Sequence, residues 1–261
     1  GFALGYIGGG TIPFIISIAL IMFGEKIGIP VKSATRFSFL LTAVWWVVFT
    51  IPMFRNVKQV YFIEHEPHPV IKSFQRLYRT FGNIRRYRHV FLFLIAYFFY
   101  IDGVNTIIHM SAVYGDSVGL DANTLLLALL VTQIVAFPCA IMYGRLAERV
   151  GSRVMILSGI AVYIVICIIG YRMTTAAEFW ALALLVATSQ GGIQALSRSY
   201  FSRMIPKENS SEFFGFYDIF GKFAAIMGPA LYGLSSQLTG QSRFGVLSVA
   251  LLFLIGGGGF I

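Results

Sequence analysis

The chain has 261 residues, of which 57% are hydrophobic and only 12% charged, with a mean hydropathy of +0.77. A soluble domain carries about 25% charged residues, so a single water-soluble core does not account for this much apolar surface, and the expected solvent is lipid. The formal net charge of +9 sits in loops beside apolar stretches, which speaks against a nucleic-acid partner and makes the charge a topology signal.

The first apolar stretch, Gly1–Phe23, opens GFALGYIGGG. Gly1, Gly5 and Gly9 fall four apart, on one face of a helix, and a glycine face lets two backbones approach closely in lipid. The second stretch is Phe37–Phe54. A long basic segment follows, Arg55–His89. Within it Val70, Phe74, Leu77, Phe81 and Ile84 recur on one helical face, and Lys72, Arg76, Arg79, Arg85, Arg86 and Arg88 fill the rest. That pattern predicts an amphipathic helix lying on the inner membrane surface, with anionic lipid as its partner; a basic linker is the alternative. His65 and His68, in EHEPH, lack the spacing of a helical metal site, so a solvated loop is expected there and no metal.

Six more stretches follow with short connections. Val90–Val113 carries Asp102, Asn105 and His109 at i, i+3 and i+7, one polar stripe. Thr124–Met142 carries Gln133 and, four apart, Ala128, Thr132, Ala136, Ala140 and Gly144. Val154–Tyr171 is apolar throughout. Phe179–Tyr200 carries Gln190, Gln194 and Arg198 at i, i+4 and i+8. Phe213–Leu234 carries Asp218 and Lys222, spaced to pair directly. Phe244–Ile261 is the last. Most approach the ~20 residues that cross a bilayer as a helix, and none alternates as a barrel strand would. The expectation is eight spans. Lys and Arg concentrate in Arg55–His89, Arg145–Arg153 and Arg203–Glu212, which places those loops in the cytoplasm. Residues 1–55 form a first pair of helices, 56–89 a basic cytoplasmic linker, and 90–261 a six-helix bundle.

An ionisable group inside a span costs at least ~2.5 kcal/mol at its centre, so each needs a reason. The two stripes read either as a polar cavity wall, with Asp102 a site for proton or cation coupling and Gln190 and Gln194 for hydrogen-bonding solute, or as buried groups joining helices. Asp218 and Lys222 fit a structural pair or a gate near the cytoplasmic end. No serine–histidine–acid arrangement is visible. GYIGGG lacks the Lys–Ser/Thr of a phosphate loop. The reading is against an enzyme, and no cofactor is called for.

The loop after the fourth stretch is GRLAERVGSR, Gly144 to Arg153. It resembles the loop motif of the major facilitator superfamily, with Gly144, Leu146, Glu148, Arg149, Gly151 and Arg153 in the motif's places. Glu148 stands where Asp is more usual, and Ser152 where a basic residue often does. The motif occurs after the second and eighth helices of that superfamily. The resemblance therefore numbers the first stretch helix 5 and implies that helices 1–4 of the same polypeptide lie outside this sequence. FLIAYFFYIDGVNTII (Phe93–Ile108), the long run from Gly191 to Gly233, and GFALGYIGGG look like the branch related to the vacuolar autophagy effluxer.

The resemblance implies an all-α integral membrane protein with a partial major facilitator fold: the last two helices of the N-terminal half and the six-helix C-terminal half. It implies a secondary transporter of a small polar solute, amino acids among the candidates, coupled to H+ or Na+. The alternative is a membrane interaction or sensor protein on the same fold. It makes helices 7, 8, 10 and 11 the cavity wall, where Asp102, Gln133, Gln190 and Asp218 fall. It also makes helix 8 the partner of helix 5, so the Gly1, Gly5, Gly9 face is expected against Ala136 and Ala140. Glu148 is expected near the start of helix 5 or near Arg149 or Arg153. The location is a multi-pass span of a cell membrane in a bacterium, or of the vacuolar membrane in a fungus.

Overall fold

The computed structural model describes residues 6–57, 82, 87–207 and 210–260. Gly1 and Gly5, the EHEPH histidines and most of Val70–Arg88 lie outside the described residues. Among the described residues there are helices and no strand. A π-helical turn, Tyr6–Thr11, runs into α1 (Ile12–Phe23), and a 3-10 turn, Gly24–Ile27, leads to α2 (Val31–Asn56). The bundle then comprises α3 (Arg88–Ser117), α4 (Ala122–Val150), α5 (Ser152–Arg172), α6 (Ala176–Met204), α7 (Ser210–Thr239) and α8 (Ser242–Phe260).

Local chemistry sets the boundaries. Pro30 caps α2 in an extended conformation, so this helix begins earlier than the Phe37 boundary of the apolar stretch. Asp121 accepts from the Thr124 amide and hydroxyl at the start of α4, and those donors hold its exposed carboxyl below the usual carboxylate range. Thr175 and Glu178 close a reciprocal capping box on α6, satisfying two donors that a helix start leaves bare. Between α4 and α5 stands one residue, Gly151, with φ 93° and ψ 144°. A side chain is strained in that backbone region, and glycine is not.

Seven of these segments are long and apolar enough to cross a membrane, the first being Gly9–Ile27. Ser210–Thr239 is long enough, but its apolar residues are diluted by Asp218, Lys222 and Pro229. It nevertheless packs within the bundle like the others, against α3 and α8.

The core gathers around α3. Leu94, Tyr100 and Val104 of α3 are fully enclosed, as are Tyr163 of α5, Phe201 of α6 and Phe253 of α8. Glycines on the neighbours bring the backbones close. A Cβ on Gly256 of α8 would come within 2.7 Å of the Tyr100 amide nitrogen and 3.0 Å of the Ala96 carbonyl oxygen. One on Gly103 of α3 would strike the Phe253 ring at 2.6 Å. Toward the end where α3 begins and α8 finishes, the same helices carry an aromatic cluster: Tyr97 stacks on Tyr217 with centroids 4.3 Å apart, and Phe93 lies against Phe201 and Phe260. By contrast α1 and α2 pack on each other, and among the described residues the Tyr6–Thr11 turn and α1 make the main contact with the bundle, at α4. Along α2, Phe39, Leu40, Trp46 and Phe54 are exposed.

Gly256→Ala should therefore lower stability by about 1–3 kcal/mol, the usual cost of forcing atoms into a packed core. Gly258→Ala, where a Cβ meets nothing within 4 Å, should be neutral or slightly stabilising. Thermal unfolding of the full-length protein in detergent checks this, and equal shifts for the two variants would contradict the α3–α8 contact.

Candidate functional site

A cavity of about 470 Å³ lies where α1 and α2 meet the six-helix bundle. Its walls are largely apolar, including Phe14 of α1, Leu129 of α4, Phe179 of α6 and Val246 of α8. Polar groups enter from several helices: Ser17, Thr42, Thr106, Ser111, Thr132, Gln133, Gln190 and Tyr232. Gln133 sits eleven residues into α4 and Gln190 fourteen into α6, so both fall near mid-membrane. The Gln190 Nε2 donates to the Gln133 Oε1 at 3.2 Å. An interhelical hydrogen bond in lipid contributes only about 0.6 kcal/mol on average. It is therefore a weak fastening, and both amides keep further donor and acceptor capacity facing the cavity.

Asp102 is the deepest charged group. Its side chain has no exposure, in the middle of α3. The Gly228 backbone of α7 and the Thr106 hydroxyl flank the carboxyl, but neither oxygen has a hydrogen-bond partner. Thr106 instead donates to the Asp102 carbonyl at 2.7 Å. Gly228 makes this seat possible: a Cβ there would fall on the Thr106 Oγ1 and within 2.8 Å of the Asp102 Oδ1. Thr106 lines the cavity one turn further along α3.

The stripes divide by environment. Asn105 is half-buried and His109 exposed, so His109 does not share the enclosed seat of Asp102. Gln194 is half-buried and does not line the cavity. Arg198 is exposed, and its Nη1 bonds the Asp218 Oδ1 at 3.1 Å. This corrects the expected Asp218–Lys222 pairing. The Arg198 guanidinium lies 4.9 Å above the Phe214 ring and 5.8 Å from that of Tyr217, which aims its donor fork across to α7, while Lys222 is exposed. Both charges are about half exposed, so the pair contributes at most ~1 kcal/mol.

In the loop motif, the alternative that puts Glu148 near the start of the first helix falls on residues outside those described. Arg153 donates from Nη2 to the Phe260 carbonyl at the end of α8, at 3.2 Å. Glu148 and Arg149 are exposed, and Glu148 makes no ion pair with Arg149 or Arg153 among the described residues. The cationic fork satisfies a bare helix-end carbonyl rather than the neighbouring acid. Gly144 is half-buried in open space. Of the small faces, Gly9 is exposed with nothing within 4 Å of a built Cβ. Ala136 is fully enclosed and Ala140 half-buried. On the same face of α4, the Thr132 hydroxyl reaches the Ala183 carbonyl of α6 at 3.4 Å.

Thr106, Gly228 and Tyr232 were not singled out in the sequence. Their signal was there in part: Gly228, Tyr232 and Ser236 repeat every four residues along α7, facing α3 and α8.

The fold and the relatives below define an integral membrane protein of the major facilitator type, with a largely apolar chamber where α1 and α2 meet the bundle. The profile of the family described as "Vacuole effluxer Atg22 like" matches residues 1–260, and the chain belongs to that family. It is 57% identical over 258 residues to a Bacillus subtilis protein described as an uncharacterised MFS-type transporter, YxiO, a match covering 98% of this chain and 60% of that protein. It is 28% identical over 290 residues to autophagy-related protein 22 of Yarrowia lipolytica, covering 98% and 48%. With the Cryptococcus neoformans protein of the same name it shares 23% over 279 residues, covering 98% and 50%. The chain thus spans half to three-fifths of the length of these relatives.

If Gly228 is what seats Asp102, Gly228→Ala should destabilise the full-length protein by about 1–3 kcal/mol, and adding Thr106→Ala should recover part of the loss. Strictly additive losses in a double-mutant cycle would place the two residues out of contact.

Proposed function

We propose that this chain is the C-terminal part of a secondary transporter that moves a small polar solute across the membrane by alternating access, driven by protons, with amino acids the first solutes to try. The observation that carries the reading is an unpaired carboxyl held at mid-membrane beside a chamber lined by two amides from facing helices. Such a group is costly in lipid, and a purely structural role would have supplied it with a partner. The descriptions of the relatives as an MFS-type transporter and vacuole effluxers support the same class.

In this reading Gln133 and Gln190 hydrogen-bond the polar end of the solute while the apolar wall takes its body. Asp102 takes up and releases the proton. Exposed His109, two turns further out, is a relay toward bulk water. Arg198 and Asp218 act nearer the cytoplasmic end, as a gate or brace. Arg145, Arg149 and Lys207 on the cytoplasmic side meet anionic lipid, together with the basic residues of the 56–89 segment.

The test uses the full-length protein in proteoliposomes. Asp102→Asn should keep solute exchange but abolish accumulation driven by a pH gradient. Gln190→Ala should weaken solute binding about tenfold, the cost of one hydrogen bond of ordinary strength. Full pH-driven uptake by Asp102→Asn would rule out Asp102 as the coupling group, and accumulation driven by a Na+ gradient alone would replace the proton with sodium.

A further inference from the structure

Four buried oxygens in this structure mark one line through the protein. They are both carboxylate oxygens of Asp102, the Tyr232 hydroxyl and the Ser236 hydroxyl, each enclosed and without a hydrogen-bond partner. A buried hydroxyl or carboxylate left unsatisfied is costly, and protein interiors usually satisfy such groups with ordered water. The four are not scattered. Gly228, against which Asp102 sits, is followed at i+4 by Tyr232 and at i+8 by Ser236. The line therefore runs up one face of α7 from mid-membrane toward the outer face. Gly245 of α8 closes its far side: a Cβ there would fall on the Ser236 Oγ and within 2.8 Å of the Tyr232 ring. The seam thus lies between α3, α7 and α8, and the chamber touches it through Thr106, Tyr232 and Val246.

We infer that a single file of water molecules occupies this seam, held by the Ser236 and Tyr232 hydroxyls, and carries protons between the outer face and Asp102. The spacing suits it. Four residues advance ~6 Å along a helix, so Gly228, Tyr232 and Ser236 step along one face, and waters joined by hydrogen bonds of ~2.8 Å link the two hydroxyls to the carboxyl. A proton enters from water at the outer face. Each hydroxyl accepts a proton from the water on its outer side and releases its own to the water on its inner side, so no group in the file is left charged. The Asp102 carboxylate is the final acceptor.

Other groups facing the seam are compatible with this route. On α3, Tyr114 donates to the Gly170 carbonyl of α5 at 2.5 Å, and His109 is exposed. On α8, Ser242 flanks the Tyr232 hydroxyl, and exposed Arg243 stands close enough to act on Tyr114. On α5, Tyr163 stacks on Phe253 of α8. From α4 and α6 the polar groups are the uncharged Gln133 and Gln190. Toward the cytoplasm Tyr100 is bonded to Ser197 at 2.7 Å, and the aromatic cluster closes that side.

This inference rests on Asp102 being the proton carrier, and the experiment separates the two. Infrared difference spectra of the purified full-length protein at two pH values should show a protonated carboxyl band that vanishes in Asp102→Asn. On mixing with heavy water, exchange of that band should slow by about tenfold in Tyr232→Phe and in Ser236→Ala, corresponding to one lost hand-off step at the usual conversion of barrier to rate. It should be unchanged in Ser202→Ala, at the cytoplasmic end of α6. Absence of the Asp102 band sinks the coupling reading and the water file together. A band whose exchange rate is the same in all variants overturns the water file alone. Should Tyr232→Phe fail to fold, Ser236→Ala carries the measurement alone, and an exchange rate unchanged in it overturns the inference.

Discussion

Helix α3 is seated by the missing side chains of its neighbours. In lipid there is no hydrophobic drive to push helices together, so close van der Waals packing has to supply the association. Gly256 of α8 lets the α3 backbone in at Tyr100, Gly103 of α3 receives the Phe253 ring, and Gly228 of α7 receives Thr106 and Asp102. Each of these contacts is between a bare backbone and a large or polar group. Where α3 sits decides where Asp102 sits, and where Asp102 sits decides which side of the bundle is polar.

That arrangement gives the six-helix unit two unlike ends. Near the cytoplasm Phe93, Tyr97, Phe201, Tyr217 and Phe260 fill the space between α3, α6, α7 and α8 with rings. In the outer half the space is left to the chamber and to hydroxyls from Tyr232 and Ser236. Polar groups and cavity volume thus collect on the same side of mid-membrane, and the aromatic cluster separates them from the cytoplasmic loops.

Much of the architecture was legible from the sequence because lipid makes it so. A bilayer demands long apolar helices, and the runs show them; Lys and Arg give their orientation. The GRLAERVGSR loop and the stretch from Gly191 to Gly233 carried the family. The amides at Gln133 and Gln190 were legible as polar exceptions within apolar helices, and the structure brings them together. What was not legible is how each helix is rotated about its axis. Spacing along one helix suggested Asp218 with Lys222, whereas the acid is taken by Arg198 from the next helix, steadied by two aromatic faces. Glycines at the start of the chain stood out by their spacing, while the tightest glycine contacts described lie inside the bundle, at Gly228 of α7 and Gly192 of α6. The polar stripe of Asp102, Asn105 and His109 also looked uniform in sequence, but it runs from an enclosed Asp102 to an exposed His109.

The connections of the six-helix unit leave it little slack. Gly151 alone joins α4 to α5, and two residues, Gly240 and Gln241, join α7 to α8. A chain spans at most ~3.6 Å per residue, so neighbouring helix ends tied this tightly cannot splay apart by a helix diameter. The Arg153 clasp on the last carbonyl of α8 ties a further pair of ends on the cytoplasmic side. Mechanically these ties make the unit closer to a lever than to a set of staves, because the helix ends they join are constrained to move together.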